Sequence, residues 1–240
     1  MSAPINAIRN NRNDAFVLRA LLVLSAILAI AYGAYGSSLY EGAPPYVVGT
    51  IFKASSIVIL GLVALMARSR LLAAGLLFGA LGDALLAWRP ETFLCGSLAF
   101  LIGHLFYITL FLRSGVGLRG VQREPVRLVA MLAIVAAAFV STSALVPSDS
   151  EIFVAMAIYT VVLTLMTMSS FTLPWGRRVV MIGAVLFFIS DGFVAWKMFH
   201  HDPDPTLAYW RSFAGWMIYW AGQAAICFGA LGLHKAAART

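Results

Sequence analysis

Charge is scarce in this chain. Of its 240 residues, 11% are Asp, Glu, Lys or Arg, while 61% are hydrophobic. A soluble core of this size has no use for so much apolar surface. No polar stretch is long enough to fold as a separate soluble domain, so residues 1–240 read as a single domain. Cysteine is scarcer still. Cys95 lies near the start of one apolar run and Cys227 about two-thirds along another, a difference in depth of roughly 18 Å at 1.5 Å per residue. That separation excludes a disulfide between them, and both read as packing residues. There is no Gly-x-Ser-x-Gly elbow, no His-Glu-x-x-His zinc motif and no phosphate-cradling Gly-rich loop. No metal and no organic cofactor is implied. The net charge of +7 does not point to nucleic acid, because the arginines do not gather into a binding face. They lie in short loops between apolar runs, where a topology signal belongs, and a basic rim of this kind suits the anionic headgroups of a lipid bilayer.

What the chain does have is a succession of apolar runs of roughly 20 residues, the signature of transmembrane helices. Eight spans are expected, at about 16–35, 46–66, 71–88, 93–112, 127–146, 152–173, 178–198 and 212–233. This is an all-α, polytopic membrane fold. The breaks carry turn chemistry, in Gly42-Ala43-Pro44-Pro45, Arg89-Pro90, Pro147-Ser148-Asp149, Pro174-Trp175-Gly176 and Asp202-Pro203-Asp204-Pro205. The first run follows Arg9 and Arg12 and is longer than a signal-peptide h-region, so it is expected to be a retained helix. Arg9, Arg12, Arg19, Arg68, Arg70, Arg113, Arg119, Arg123, Arg127, Arg177, Arg178, Lys235 and Arg239 fall on one side of such a bundle; Arg89, Lys197 and Arg211 fall on the other. The asymmetry puts both termini in the cytoplasm.

Two aspartates interrupt these apolar runs in nearly the same short sentence. Gly82-Asp83-Ala84-Leu85-Leu86-Ala87-Trp88 is echoed by Ser190-Asp191-Gly192-Phe193-Val194-Ala195-Trp196. An ionised carboxylate in lipid costs several kcal/mol, so such residues are rare and usually functional. With eight spans the two fall in the third and seventh, which run in the same direction. That suggests two four-helix halves related by a parallel repeat. A spacing of seven also recurs. Gly75 precedes Gly82-Asp83, Gly96 precedes Gly103-His104, Gly183 precedes Ser190-Asp191, and Gly215 precedes Gly222-Gln223. Small residues two turns apart let backbones approach closely in lipid. The pattern turns Asp83, His104, Asp191 and Gln223 towards neighbouring helices.

Lys53, Tyr107 and Tyr219 share the same depth band in the outer half of the bilayer, where a water-filled cavity would hold them all. Each residue also has a plainer account. The aspartates could be structural, paired with Lys53 or capped by hydroxyls, and Lys53 could snorkel. His104 and Gln223 could be interhelical glue, and tyrosines such as Tyr107, Tyr159 and Tyr219 are common in membrane helices. Trp88 and Trp196 read as interface-belt residues, and His200-His201-Asp202 as an exposed loop rather than a metal site.

In Lys53, Gly82-Asp83, His104-x-x-Tyr107, Gly183-Ala184 leading into Ser190-Asp191, and Tyr219 with Gln223, the chain resembles the YhhN-like family of multi-pass membrane proteins. The resemblance covers most of the chain. One departure is Ala54, which stands where the family usually follows its lysine with proline. Characterised members are lysoplasmalogenases, which hydrolyse the vinyl ether of lysoplasmalogens to a fatty aldehyde and a glycerophospho-base. The resemblance implies Asp83 and Asp191 as catalytic residues. It implies a substrate site from Lys53, His104, Tyr107, Tyr159, Ser190, Tyr219 and Gln223, a lysophospholipid partner, and a bacterial inner membrane as location. It leaves the oligomeric state open.

The chemistry gives two carboxyls a purpose. A vinyl ether is protonated at carbon to an oxocarbenium ion, which water attacks. That route needs a carboxylic acid still protonated near neutral pH, a state favoured by burial. It gains from a carboxylate that stabilises the cation and accepts a proton from water. A nearby Lys53 would keep one aspartate ionised and leave the other protonated. A proton-coupled transporter also carries intramembrane acids; an intramembrane aspartyl protease would need Tyr-Asp and Gly-x-Gly-Asp, which are absent here. A lipid-binding scaffold without turnover is the remaining alternative.

Overall fold

A computed structural model of the chain describes residues 12–35, 46–200 and 202–231. Among the described residues there is no strand, and helices account for almost all of the chain. They are α1 (Arg12–Tyr35), α2 (Val47–Met66), α3 (Arg70–Trp88), α4 (Phe93–Ser114), the short α5 (Gly117–Gln122), α6 (Pro125–Leu145), α7 (Phe153–Ser170), α8 (Arg178–Phe199) and α9 (Pro205–Leu231). Among the described residues, seven helices are long and apolar enough to cross a membrane, namely all of the long ones except α9. At 27 residues α9 has the length, but its Trp, Tyr, Gln and Gly residues dilute its apolar character. Large apolar side chains face outward on every long helix, Leu24, Ile51, Leu81, Leu98, Phe139, Ile158, Ile182 and Phe228 among them. A surface of this kind is stable against lipid and not against water. The protein is a multi-pass integral membrane protein.

The helix boundaries follow the sequence closely, with three corrections. The last helix begins at Pro205 rather than near residue 212. Asp204 accepts the backbone N–H of Thr206 at 2.8 Å, and Pro205 sits in the first turn, where its missing N–H costs nothing; the Asp-Pro pair read as part of a turn is a helix start. The sixth span ends at Ser170 instead of 173. The helix Gly117–Gln122 was not expected at all.

Seven helices close a ring in the order α1, α2, α3, α4, α7, α8, α9 and back to α1, and α6 lies outside it against α7 and α8. Two seams are formed by glycines. On α8 and α9, a Cβ at Gly183 would lie 2.7 Å from the carbonyl oxygen of Gly222, and one at Gly222 would lie 2.9 Å from that of Gly183. On α3 and α4, a Cβ at Gly103 would lie 3.1 Å from the Gly75 carbonyl. The expected repeat of two halves is not reproduced by the packing as a whole. These two seams correspond, but α2 packs extensively on α3 whereas α7 touches α8 only slightly.

The connections tie the ends together. Val116 N–H donates to Thr172 O at 2.8 Å at the arginine-rich end, and Tyr46 N–H to Trp88 O at 3.0 Å at the other. Between α2 and α3, Arg68 adopts a left-handed backbone (φ 58°). The N–H groups of Arg68 and Ser69 return to Leu65 O and Ala64 O at 2.8 and 2.9 Å, which is a Schellman ending. Arg127, counted in the sequence as a loop charge, is fully buried. Its Nη1 donates to Phe171 O and Leu173 O at 2.5 and 2.6 Å, and its Nε to Glu124 at 2.9 Å. The guanidinium thereby satisfies carbonyls orphaned at the end of α7. Trp175 covers it, with ring centroid 4.6 Å from Cζ, and donates its indole N–H to the same Glu124. Those bonds, from Arg127 first and Trp175 second, hold the Glu124 carboxyl below its ordinary value of 4.5. Both cysteines are free: Cys227 is buried, as a packing residue should be, but Cys95 is exposed.

Candidate active site

Between the ring and α6 lies an open cavity of about 770 Å³ that is lined by both Asp83 and Asp191. Asp83, on α3, is 2% exposed. Lys53 Nζ on α2 lies 3.5 Å from its Oδ1, and the Tyr219 hydroxyl on α9 donates to its Oδ2 at 2.7 Å. Both carboxylate oxygens thus face a donor, which is the condition under which a buried charge survives. Asp191, on α8, is only partly buried. Its Oδ2 accepts from the Tyr159 hydroxyl of α7; among the described residues its Oδ1 has no hydrogen-bond partner. Both carboxyls line the same cavity, and the charges of Asp83 and Lys53 act on Asp191.

Behind each carboxylate runs a directed chain of donors. Tyr107 OH donates to Gln223 Oε1 at 2.6 Å, Gln223 Nε2 to Tyr219 OH at 3.1 Å, and Tyr219 to Asp83. The second chain is shorter. His104 Nε2 lies 3.2 Å from the Tyr159 hydroxyl. Since Tyr159 gives its proton to Asp191, the imidazole must be the donor, so Nε2 carries the hydrogen and Nδ1 does not. Among the described residues, the buried Nδ1 has no hydrogen-bond partner. Each link polarises the next, which strengthens the hydrogen bond that reaches the carboxylate.

Glycines make the room for these chains. A Cβ at Gly75 would meet the Tyr107 ring at 2.5 Å, one at Gly79 would lie 2.9 Å from Gln223 Nε2, and one at Gly82 would meet Phe100 at 2.5 Å. The small residues of α3 therefore seat the side chains that reach Asp83. Between the two chains stands an aromatic wedge. Phe187 lies 5.2 Å from Tyr219 and 4.9 Å from His104 between ring centroids, and Phe100 lies 5.9 Å from Tyr219.

Of the residues expected to meet substrate, Lys53, Tyr159, Ser190 and Tyr219 line the cavity. Ser190 turns its hydroxyl back to Phe187 O at 2.6 Å. His104, Tyr107 and Gln223 are not on the cavity wall; they are buried behind it and hold the tyrosines that are. Lys53 does not snorkel to the interface but stays with Asp83 and lies 5.9 Å from the Trp216 ring centroid. Trp216 was not singled out in the sequence, although it shares the face of Tyr219 and Gln223 at positions i, i+3 and i+7. The loop expected to be exposed is instead part of the cavity mouth. His200 stacks on Trp196 at 4.5 Å, Arg211 covers the same ring at 4.5 Å, and Arg211 pairs with Asp202. His201 lies outside the described residues.

The sequence model of the YhhN family matches residues 48–230, which include every residue of both chains. A mouse (Mus musculus) protein named lysoplasmalogenase TMEM86B is 33% identical over 129 residues, 54% of this chain and 51% of the mouse protein. The match thus spans about half the length of that relative. No solved structure matches.

Proposed function

Because this chain belongs to the YhhN family, we propose that it is a membrane-embedded hydrolase that cleaves the vinyl ether bond of lysoplasmalogen-type lysophospholipids. The observation that carries the reading is the unlike pairing of two carboxyls on one cavity: Asp83 engaged on both oxygens, Asp191 on one. The likeness to lysoplasmalogenase TMEM86B supports it.

The asymmetry supports unlike roles for the two. Asp191 is the acid, its Oδ1 turned to the substrate. It transfers a proton to the β-carbon of the vinyl ether, leaving an oxocarbenium ion at the carbon bound to oxygen. The Asp83 carboxylate, kept ionised by Lys53, stabilises that cation in a site of low dielectric. Water adds to the cationic carbon and yields its proton to the Asp191 carboxylate, which restores the acid. The hemiacetal then breaks its bond to the glycerol oxygen, giving a fatty aldehyde and a glycerophospho-base. One water is consumed and no other reagent is needed. Tyr159, held by His104, keeps Asp191 aimed; Tyr219, held by Gln223 and Tyr107, does the same for Asp83.

The same reading places the arginine-rich end and both termini in the cytoplasm of a bacterial cell, with the protein in the inner membrane and the cavity mouth on the far side. The test is mass spectrometry of detergent-purified protein incubated with a 1-alkenyl lysophospholipid and, separately, with its 1-acyl ester analogue. Aldehyde from the alkenyl lipid and nothing from the ester is expected. Absence of aldehyde, or fatty acid released from the ester, would overturn the proposal.

A further inference from the structure

Among the described residues, one cation on the cavity wall has no counter-ion. Lys53 is paired with Asp83 and Arg211 with Asp202. Lys197 also lines the cavity, yet among the described residues its ammonium has no hydrogen bond, carboxylate or ring partner. The charge it feels is that of Lys53, so the two ammonium groups repel across the space between them. Asp191 does not serve as its counter-ion; the charges acting on that carboxyl are those of Asp83 and Lys53. An accessible lysine without a counter-ion, on a cavity that a second ammonium also lines, suits an anion.

The spacing says which anion. Lys197 follows Asp191 by six positions on α8, a rise of about 9 Å. In a lysoplasmalogen the β-carbon that Asp191 would protonate and the phosphorus are separated by seven bonds of about 1.5 Å, a reach of about 8–9 Å once zigzag is allowed for. A flexible lysine side chain closes the difference. A lipid with its vinyl ether at Asp191 therefore brings its phosphate to the cavity mouth, on the side of Lys197. Arg89 is the other cation at this end without a carboxylate partner among the described residues, and it does not line the cavity.

Resting on the lysophospholipid reading above, we propose that Lys197 is the phosphate anchor of the substrate site, fixing how deep the lipid sits and so which bond meets Asp191. The site recognises the charge of a phosphate monoester or diester rather than the group beyond it, since an ammonium is a point charge without the planar fork of arginine.

The test measures binding, so that it stands apart from turnover. The full chain in detergent is titrated with three ligands while tryptophan fluorescence is followed: a saturated 1-O-alkyl lysophosphocholine, which has no vinyl ether to cleave, the matching 1-O-alkylglycerol, and inorganic phosphate. Lys197→Gln should weaken the phosphocholine lipid about tenfold or more while the alkylglycerol moves less than twofold. Lys197→Arg should recover most of the loss, Lys197→Met should repeat it, and Arg89→Gln should change neither lipid. Equal binding of the phospholipid by wild type and Lys197→Gln would overturn the assignment, as would equal losses for both lipids or no binding of any ligand. Lys197-dependent binding of inorganic phosphate alone would overturn the lipid version in favour of a free-phosphate site. If no aldehyde forms from an alkenyl lipid but the phosphate-specific loss remains, the proposed chemistry fails and the anchor stands.

Discussion

Asp191 accepts a hydrogen bond from Tyr159 on one oxygen and offers the other to the cavity. Asp83, across the same space, has neither oxygen to spare. The difference between the two carboxyls is geometric, and the proposed division of roles rests on it.

Replacing each aspartate by asparagine keeps shape and removes the charge. Asp191→Asn should abolish aldehyde release, a loss of at least about 10³-fold, because no proton donor remains. Asp83→Asn should lower kcat by about 10²- to 10³-fold through the lost stabilisation of the cation. Both variants should elute and melt as folded protein. Near wild-type turnover in either one would remove that residue from the mechanism.

The two tyrosines should separate catalysis from stability. Tyr159→Phe frees Asp191 to wander and should reduce kcat about tenfold with a smaller change in KM. Tyr219→Phe strands Gln223 Nε2 in a buried position and should cost about 1–3 kcal/mol of stability, read as a lowered melting temperature. The opposite ranking of the two variants in kcat and in melting temperature would contradict this division.

The seam between α8 and α9 leaves no space for a methyl group. Gly183→Ala should destabilise by about 1–3 kcal/mol, since the atom it approaches is a backbone carbonyl that cannot swing aside. Gly192, on the same helix, has nothing within 4 Å of a Cβ, so Gly192→Ala should be neutral or mildly stabilising. Thermal melts of the pair in one detergent provide the comparison.

Acid should loosen the arginine-rich end. Glu124 is held below its ordinary value of 4.5 by Arg127 and Trp175. A depressed carboxyl contributes stability that is complete above its unfolded value and is lost as pH falls through the folded one. The melting-temperature difference between wild type and Glu124→Gln should therefore be constant at neutral pH and shrink once the pH drops below about 4.5. A difference that grows on acidification would reverse the sign of the argument. Arg127→Met, which orphans two carbonyls, should cost about 2–3 kcal/mol at neutral pH.

Much of this was legible in the chain itself. Apolar run length placed the spans, and the echo around Asp83 and Asp191 led to both cavity carboxyls, because burying charge in lipid is too costly to occur without cause. The glycine spacing of seven pointed to the close helix pairs. What was hidden depends on partners far apart in sequence. Nothing local says that Tyr159 reaches Asp191 or that Arg127 reaches the end of α7, since those contacts arise only when the ring closes. Depth and the family resemblance put His104, Tyr107 and Gln223 beside the substrate. Rotation about the helix axis, which depth cannot supply, turns them behind the wall. The three outer cations, Arg89, Lys197 and Arg211, looked equivalent in sequence, and only pairing together with a place on the cavity wall singles out Lys197.

One consequence lies in how thinly α6 is held. It buries only Arg127 and Ala138, yet Ala137, Ser141, Thr142 and Leu145 form part of the cavity wall. A helix this lightly buried is expected to part from the bundle more readily than the glycine-sealed helices. Swinging it outward breaks neither glycine seam and leaves both acids in register. On the proposed reading, a single-tailed amphiphile would enter edgewise there from the surrounding acyl phase, without its tail crossing water.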